Sequence, residues 1–318
     1  ARGDIRQGGI GYMLRRLSAL SAKSARQGVE LAGRLVERFG YVHSGRTYVI
    51  ADPHEAWLMA VVSGRHWVAQ RVPDDGVVIL PNVHIIGQID LADRKNFLAS
   101  SDLIEYAVER GWYDAGRDGP FDFRIAYQTP DRTEPDVRQW RGQQLVTGNE
   151  STFPPPEPLP FAVTPREKMT VASVAAIIRD RTGTLALFKS GTQESAVLQL
   201  RSSLPPAIGC VYWKTTARPD SSVLTPWYLG VTKTPENYYP ALDVETQLCL
   251  EHHFQPPVGT FDVDPDSAWW KFKILQDTVD VDFSTRYQVV RQTWKKFETR
   301  AFEQQASVEK EAAALWET

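Results

Sequence analysis

Histidine, acidic, serine and cysteine side chains are the groups whose spacing could assemble a reaction centre, and here none falls into a local catalytic pattern. His43, His54, His66 and His84 lack the helical HExxH spacing that presents two imidazoles to one zinc ion, and the adjacent His252 and His253 cannot both face one metal from a helix. Convergence of His54, Glu55 and His66 across strands is the remaining route to a metal, and no metal is expected. No Gly-x-Ser-x-Gly elbow occurs, and Ser63-Gly64 and Ser190-Gly191 read as turns. Asp74-Asp75 could be paired acids, but adjacent carboxylates on a strand point to opposite faces, and Pro73 to Gly76 reads as a hairpin turn. Gly40-Tyr41-Val42-His43-Ser44-Gly45 follows a helical pattern and lacks Gly-Lys-Ser/Thr, so nucleotide binding is rejected and no cofactor is expected.

Of the two cysteines, Cys210 sits in an apolar strand-like run, Ala207 to Trp213, and Cys249 in Thr246-Gln247-Leu248-Cys249-Leu250, and neither has a neighbouring base to favour a thiolate. They read as inert core thiols; a single bridge between them stays open, but a disulfide framework does not hold this chain together.

The elements that must position any site follow from periodicity. From Tyr12 to Phe39, Leu14, Leu17, Ala25, Val29, Ala32, Leu35 and Val36 recur at three- and four-residue spacing, which predicts an amphipathic helix, broken near Ser21 or Ser24 and stopped at Gly40. The period then shortens. Thr47 to Ile50, Ala56 to Val62, Trp67 to Val72 and Val77 to Leu80 predict an antiparallel meander, separated by Asp52-Pro53, Ser63-Gly64 and Pro73 to Gly76. Ser101 or Asp102 starts a short helix ending at Gly111, and a second helix is expected over Val137 to Leu145. Phe153 to Pro160 is a stiff Pro-rich crossing, because each proline fixes φ and removes a donor. Thr164-Pro165 with Glu167 reads as an N-cap, first helical residue and capping box of a helix running to about Arg179. Strands are expected at Val197 to Leu200, Ile208 to Trp213 and Trp227 to Val231, and a helical tail from about Ser267.

A chain of 318 residues with a formal charge of −3 and both signs mixed can bury a full core and carries no phosphate-tracking stripe, so nucleic acid is not an expected partner. Its longest apolar stretch, Val171 to Ile178, is far short of a membrane span, and a cytoplasmic location is expected.

Taken in order, several motifs resemble the cysteine dipeptidase family of N-terminal-nucleophile hydrolases, relatives of the choloylglycine hydrolases and penicillin acylases. They are Tyr48 to Trp57, Arg65 to Asp75 with Leu80-Pro81-Asn82, Asn96 to Leu103, Gly111-Trp112-Tyr113, Phe121-Asp122-Phe123, Val137 to Arg141 and Gln199 to Trp213. The resemblance spans nearly the whole chain. It implies an α+β fold, a four-layer αββα sandwich incomplete at the N-terminus. It implies one hydrolase domain over 1–318, with the crossing at 153–160.

The implied chemistry is hydrolysis of dipeptides or small amides by an N-terminal cysteine whose own α-amino group accepts the thiol proton. Ala1 carries no thiol, so the resemblance places that cysteine upstream, on a preceding segment or a companion chain, and this chain alone is expected to be inactive. Two positions carry over. Asn82 matches the asparagine whose amide donates to the tetrahedral oxyanion, although a turn or strand-end asparagine is the plainer reading of its local sequence. Arg138 matches the late active-site arginine, with Arg141 as fallback and a solvated helix-face arginine as the alternative. Arg181 stands where the family commonly has histidine. The expected partners are therefore a dipeptide or small amide, the cysteine-bearing segment and a second copy of the chain. A non-catalytic assembly subunit with the same fold is the rival reading, suggested by the absent nucleophile and the polar C-terminal helix.

Overall fold

The computed structural model describes residues 9–129, 134–182, 185–238, 251–252 and 255–316; Ala1, Cys249 and His253 lie outside them. The α+β composition is as expected. The chain forms two compact units, Ala1–Lys168 and Met169–Thr318.

In the first unit the long helical pattern is two helices, α1 (Met13–Ser21) and α2 (Ala25–Phe39). The break falls where Ser24 leaves helical geometry and its side chain accepts the Gln27 N–H, satisfying one of the orphan donors at the start of α2. Gly40, at φ +73°, ends α2 as anticipated. Ala25, Val29, Ala32 and Val36 line the buried stripe.

That stripe packs on a sheet ordered β1-β2-β3-β4, all antiparallel: β1 (Arg46–Ala51), β2 (Ala56–Val61), β3 (Trp67–Arg71) and β4 (Phe97–Ala99). β2 is covered on both sides. Trp57, Met59 and Val61 join the cluster with α1 and α2, as their alternation predicts. Leu58, Ala60 and Val62 face the opposite way, into a cluster with Ile86, Leu103 and Phe123. Burying each large side chain contributes about 1.5–3 kcal/mol, so this strand anchors the unit. Approach between layers is close at Gly33, where a Cβ would stand 2.2 Å from Trp67 Cζ2.

Asp52 ties the β1–β2 turn to α2. Its Oδ1 accepts the N–H groups of His54 (2.7 Å) and Glu55 (3.0 Å), and its Oδ2 accepts that of Ala25 (2.6 Å). Burial alone would raise this carboxyl, but the three backbone donors outweigh it and hold it below the usual carboxylate range. Asp74-Asp75 is the expected turn, closed by Gly76 N–H on the Pro73 carbonyl, with Asp74 paired to Arg71 at 2.6 Å.

Two expectations are corrected. Val77 to Leu80 is not a fourth strand of this meander: Val77 bridges to Val163 across the Pro-rich crossing, and β4 comes from residues 97–99 instead. The helix placed after Thr164 starts later, as α7 (Val171–Ile178), capped by Thr170 and Ser173. The Arg166 N–H donates to the Val146 carbonyl near the end of α6 (Val137–Thr147), and the capping box that forms is that of Thr170 with Ser173. Between these segments lie α3 (Leu103–Glu109), α4 (Ala115–Asp118), α5 (Phe123–Tyr127) and α6 (Val137–Thr147).

The second unit holds α7, a two-stranded ribbon β5 (Arg181–Thr182) and β6 (Leu185–Ala186), and an antiparallel sheet β7-β8-β9 (Glu194–Leu200, Cys210–Thr216, Thr225–Tyr228). A short α8 (Pro206–Gly209) precedes β8, and α9 (Ala268–Val281) and α10 (Phe283–Trp316) form the tail. Ala175, Val197, Val211, Trp213 and Leu224 make the core. The polar α10 turns two glutamates inward: Glu298 takes Arg179 Nη2 at 2.7 Å, and Glu309 takes Arg201 Nη2 at 2.6 Å. Among the described residues no helix is long and apolar enough to cross a membrane.

Candidate active site

Within the first unit, the start of β1, the segment 80–84 and Gln128 enclose a polar cavity of about 500 Å³. Asn82 and His84 are two residues apart on a stretch without helical turns, which lets them serve the same side. His84 is buried against the Phe123 ring, its Nδ1 is 3.1 Å from Thr47 Oγ1, and its backbone N–H donates to Gln128 Oε1 at 2.7 Å. Burial pushes the imidazole down to about 4, so at neutral pH it is an uncharged ring.

The two carried-over residues meet. Arg138 Nη1 donates to Asn82 Oδ1 at 2.9 Å. Three local features produce this contact. Asp136, the N-cap of α6, accepts the backbone N–H of Arg138 at 2.8 Å through Oδ1, and its Oδ2 lies 3.3 Å from Arg138 Nη2, which fixes the guanidinium. Gly142, one turn further on, lets α6 approach the chain leading to Asn82: a Cβ there would stand 2.7 Å from Ile79 Cγ2. Gln139 and Gln143 are buried on the inner face and both donate to the Pro160 carbonyl, at 3.3 and 2.8 Å, fastening the Pro-rich crossing to the helix.

An arginine offers only donors, so the atom of Asn82 facing it must be the carbonyl oxygen. The amide is thereby orientated with its Nδ2 hydrogens on the other branch, as a neutral donor pair. Such a group suits an oxygen on which negative charge develops.

Other candidates do not gather here. His54 is exposed in the β1–β2 turn, whereas His66 is buried, stacked on Tyr106 at 3.9 Å, with Nε2 3.2 Å from Asp102 Oδ2. Among the described residues no three His, Cys, Asp or Glu side chains are grouped to hold a metal ion. Cys210 is a half-buried free thiol at the start of β8, in the second unit. Thr47, Gln128 and Asp136 were not singled out from the sequence. Asp136 carried a readable signal, an acidic N-cap just before the predicted helix at Val137, but Thr47 and Gln128 join only through tertiary contact.

The first unit therefore offers a polar cleft lined by Asn82, whose amide is orientated by a guanidinium, on an α+β scaffold. The chain belongs to peptidase family C69, whose model matches residues 4–296. It is 32% identical over 233 residues to a probable dipeptidase of Salmonella dublin, covering 66% of this chain and 52% of that protein. It is 26% identical over 306 residues to probable dipeptidase B of Lactococcus lactis subsp. lactis, covering 87% and 62%. A dipeptidase of Bifidobacterium longum is 26% identical over 275 residues, covering 71% and 51%. The chain thus spans about half to three-fifths of the length of these relatives.

Proposed function

We propose that this chain is the part of a cysteine dipeptidase that supplies the oxyanion donor Asn82 and the network residue Arg138, cleaving dipeptides or small amides through an N-terminal cysteine upstream of these 318 residues. The observation carrying this reading is the Arg138–Asn82 hydrogen bond, which orientates the amide as the chemistry requires. Membership of family C69 and the names of the relatives support it. The reading brings with it a four-layer αββα sandwich as the fold of the complete enzyme.

In this reaction the cysteine's α-amino group takes the thiol proton, and the thiolate attacks the amide carbon, forming the C–S bond while the carbonyl pair moves onto oxygen. Asn82 Nδ2–H donates to that oxyanion. Collapse breaks the C–N bond, and the leaving amine takes the proton from the α-ammonium group. Water then hydrolyses the thioester, releasing the acid and restoring the thiol.

The test is intact-mass analysis of the natural protein combined with a dipeptide-hydrolysis assay. A polypeptide that begins with cysteine and carries this chain, or accompanies it, and that releases amino acids until that cysteine becomes alanine, is the expected result. Hydrolysis by the 318-residue chain itself, abolished by Cys210→Ser, would overturn the placement of the nucleophile.

A further inference from the structure

The charges around the cavity are unbalanced. Arg46, the first residue of β1, lines it and is exposed, as is Asn82, while Thr47, His84 and Gln128 are the more buried polar groups of the lining, and no Asp or Glu is in the lining. Arg138, beside Asn82, is neutralised by Asp136 at 3.3 Å. Arg46 has no such carboxylate among the described residues; its guanidinium carbon instead lies 5.0 Å from the Tyr12 ring centre, with Nη2 3.5 Å from the Tyr12 hydroxyl. A ring face holds a guanidinium in place without cancelling its charge. The same ring carries a second cation, Arg15, at 5.6 Å, which adds to the positive field at this rim.

We propose that Arg46 receives the free carboxylate of the substrate's leaving amino acid, and so selects amides that carry a carboxylate beside the scissile nitrogen over those that do not. This inference rests on the dipeptidase reading and names the specificity residue of that site. In a dipeptide the C-terminal carboxylate is one carbon from the scissile nitrogen, so a substrate whose carbonyl oxygen meets Asn82 carries its negative charge close to the same cleft. A planar fork of donors matches a carboxylate with two hydrogen bonds, a geometry that lysine reproduces only as a point charge. The neutral polar groups of the lining cannot discriminate charge; Arg46 can.

The experiment measures steady-state kinetics of the full-length natural protein on one dipeptide and on the same dipeptide amidated at its C-terminus, for wild type, Arg46→Met and Arg46→Lys. The wild type is expected to prefer the free dipeptide, and Arg46→Met to lose roughly 10- to 100-fold in kcat/KM on it, mainly through KM, while its kinetics on the amidated peptide stay unchanged. Arg46→Lys should recover part of the preference. Unchanged preference in Arg46→Met, equal loss on both substrates, or no preference in the wild type overturns the assignment of Arg46 while leaving the dipeptidase reading intact. Hydrolysis of neither substrate overturns the dipeptidase reading and this inference together.

Discussion

Asn82 Oδ1 and Arg138 Nη1 are 2.9 Å apart although 56 residues separate them in sequence. The contact decides which end of the asparagine amide is a donor, and that gives it a kinetic signature. On the proposed dipeptidase reading Asn82→Ala removes one oxyanion donor, and kcat of the natural protein is expected to fall by roughly 100-fold or more, with little change in KM. Arg138→Ala leaves Asn82 in place but free to flip, and a smaller loss, roughly tenfold, should follow. Equal kcat for wild type and Asn82→Ala would remove Asn82 from the mechanism.

His84 sets a pH dependence of stability. Its imidazole is held at about 4 by burial, against an ordinary value of 6.5, so between these limits the unfolded chain binds a proton that the folded chain does not. Stability from this group is therefore complete above pH 6.5 and declines as pH falls towards 4. Between pH 7 and pH 5 the loss is about 2 kcal/mol. Unfolding free energies from urea titrations at the two pH values should diverge by that amount more in wild type than in His84→Gln, and parallel shifts in the two proteins would rule it out.

Local periodicity made much of the scaffold legible. The stripe from Leu14 to Val36, the stop at Gly40, and the three strands through Trp57 and Trp67 all follow from patterns short enough to read in place. Residues 77–80 did not, because an apolar run reports burial and not its partner: Val77 pairs with Val163, and Ile79 lies under Gly142. The helix start was read at Thr164 from its Pro165 and Glu167, whereas the capping box that forms is that of Thr170 with Ser173, which has no Glu or Gln to mark it. Asn82 and Arg138 were visible as a pair only through the family resemblance, since neither carries a local motif. Thr47, His84 and Gln128 come from three separate segments, and nothing short of the tertiary fold joins them.

The second unit depends on a buried ion pair. Glu298 accepts both terminal nitrogens of Arg179, at 2.7 and 3.1 Å, and also the Leu224 backbone N–H at 2.9 Å. Burial pushes the Arg179 guanidinium down, and the hydrogen bonds to Glu298 oppose that shift. Glu298→Ala leaves a buried cation and a backbone donor unpaired, and should destabilise the unit by roughly 3–5 kcal/mol. The double variant Arg179→Met with Glu298→Leu is expected to recover part of it, the Leu224 N–H and Arg291 still lacking Glu298, read from denaturation midpoints. A Glu298→Ala protein with unchanged stability would show that the pair is not closed in solution.

Gly142 offers a way to weaken the site from outside it. A methyl group there would meet Ile79 Cγ2 at 2.7 Å and Cγ1 at 3.0 Å, so Gly142→Ala forces either the Ile79 side chain or α6 to shift, and a shift of α6 is the expected outcome. Arg138, on the same helix, would be withdrawn from Oδ1. The expected outcome is a fall in kcat resembling that of Arg138→Ala, although Gly142 touches neither the cavity nor Asn82. Shortening the opposing side chain should restore the approach, so the double variant Gly142→Ala with Ile79→Ala is predicted to turn over faster than Gly142→Ala alone. Combining Gly142→Ala with Arg138→Ala should then add little to either, because both remove the same hydrogen bond. Strictly additive losses in that pair would mean that α6 acts on the site by some route other than the Arg138–Asn82 contact.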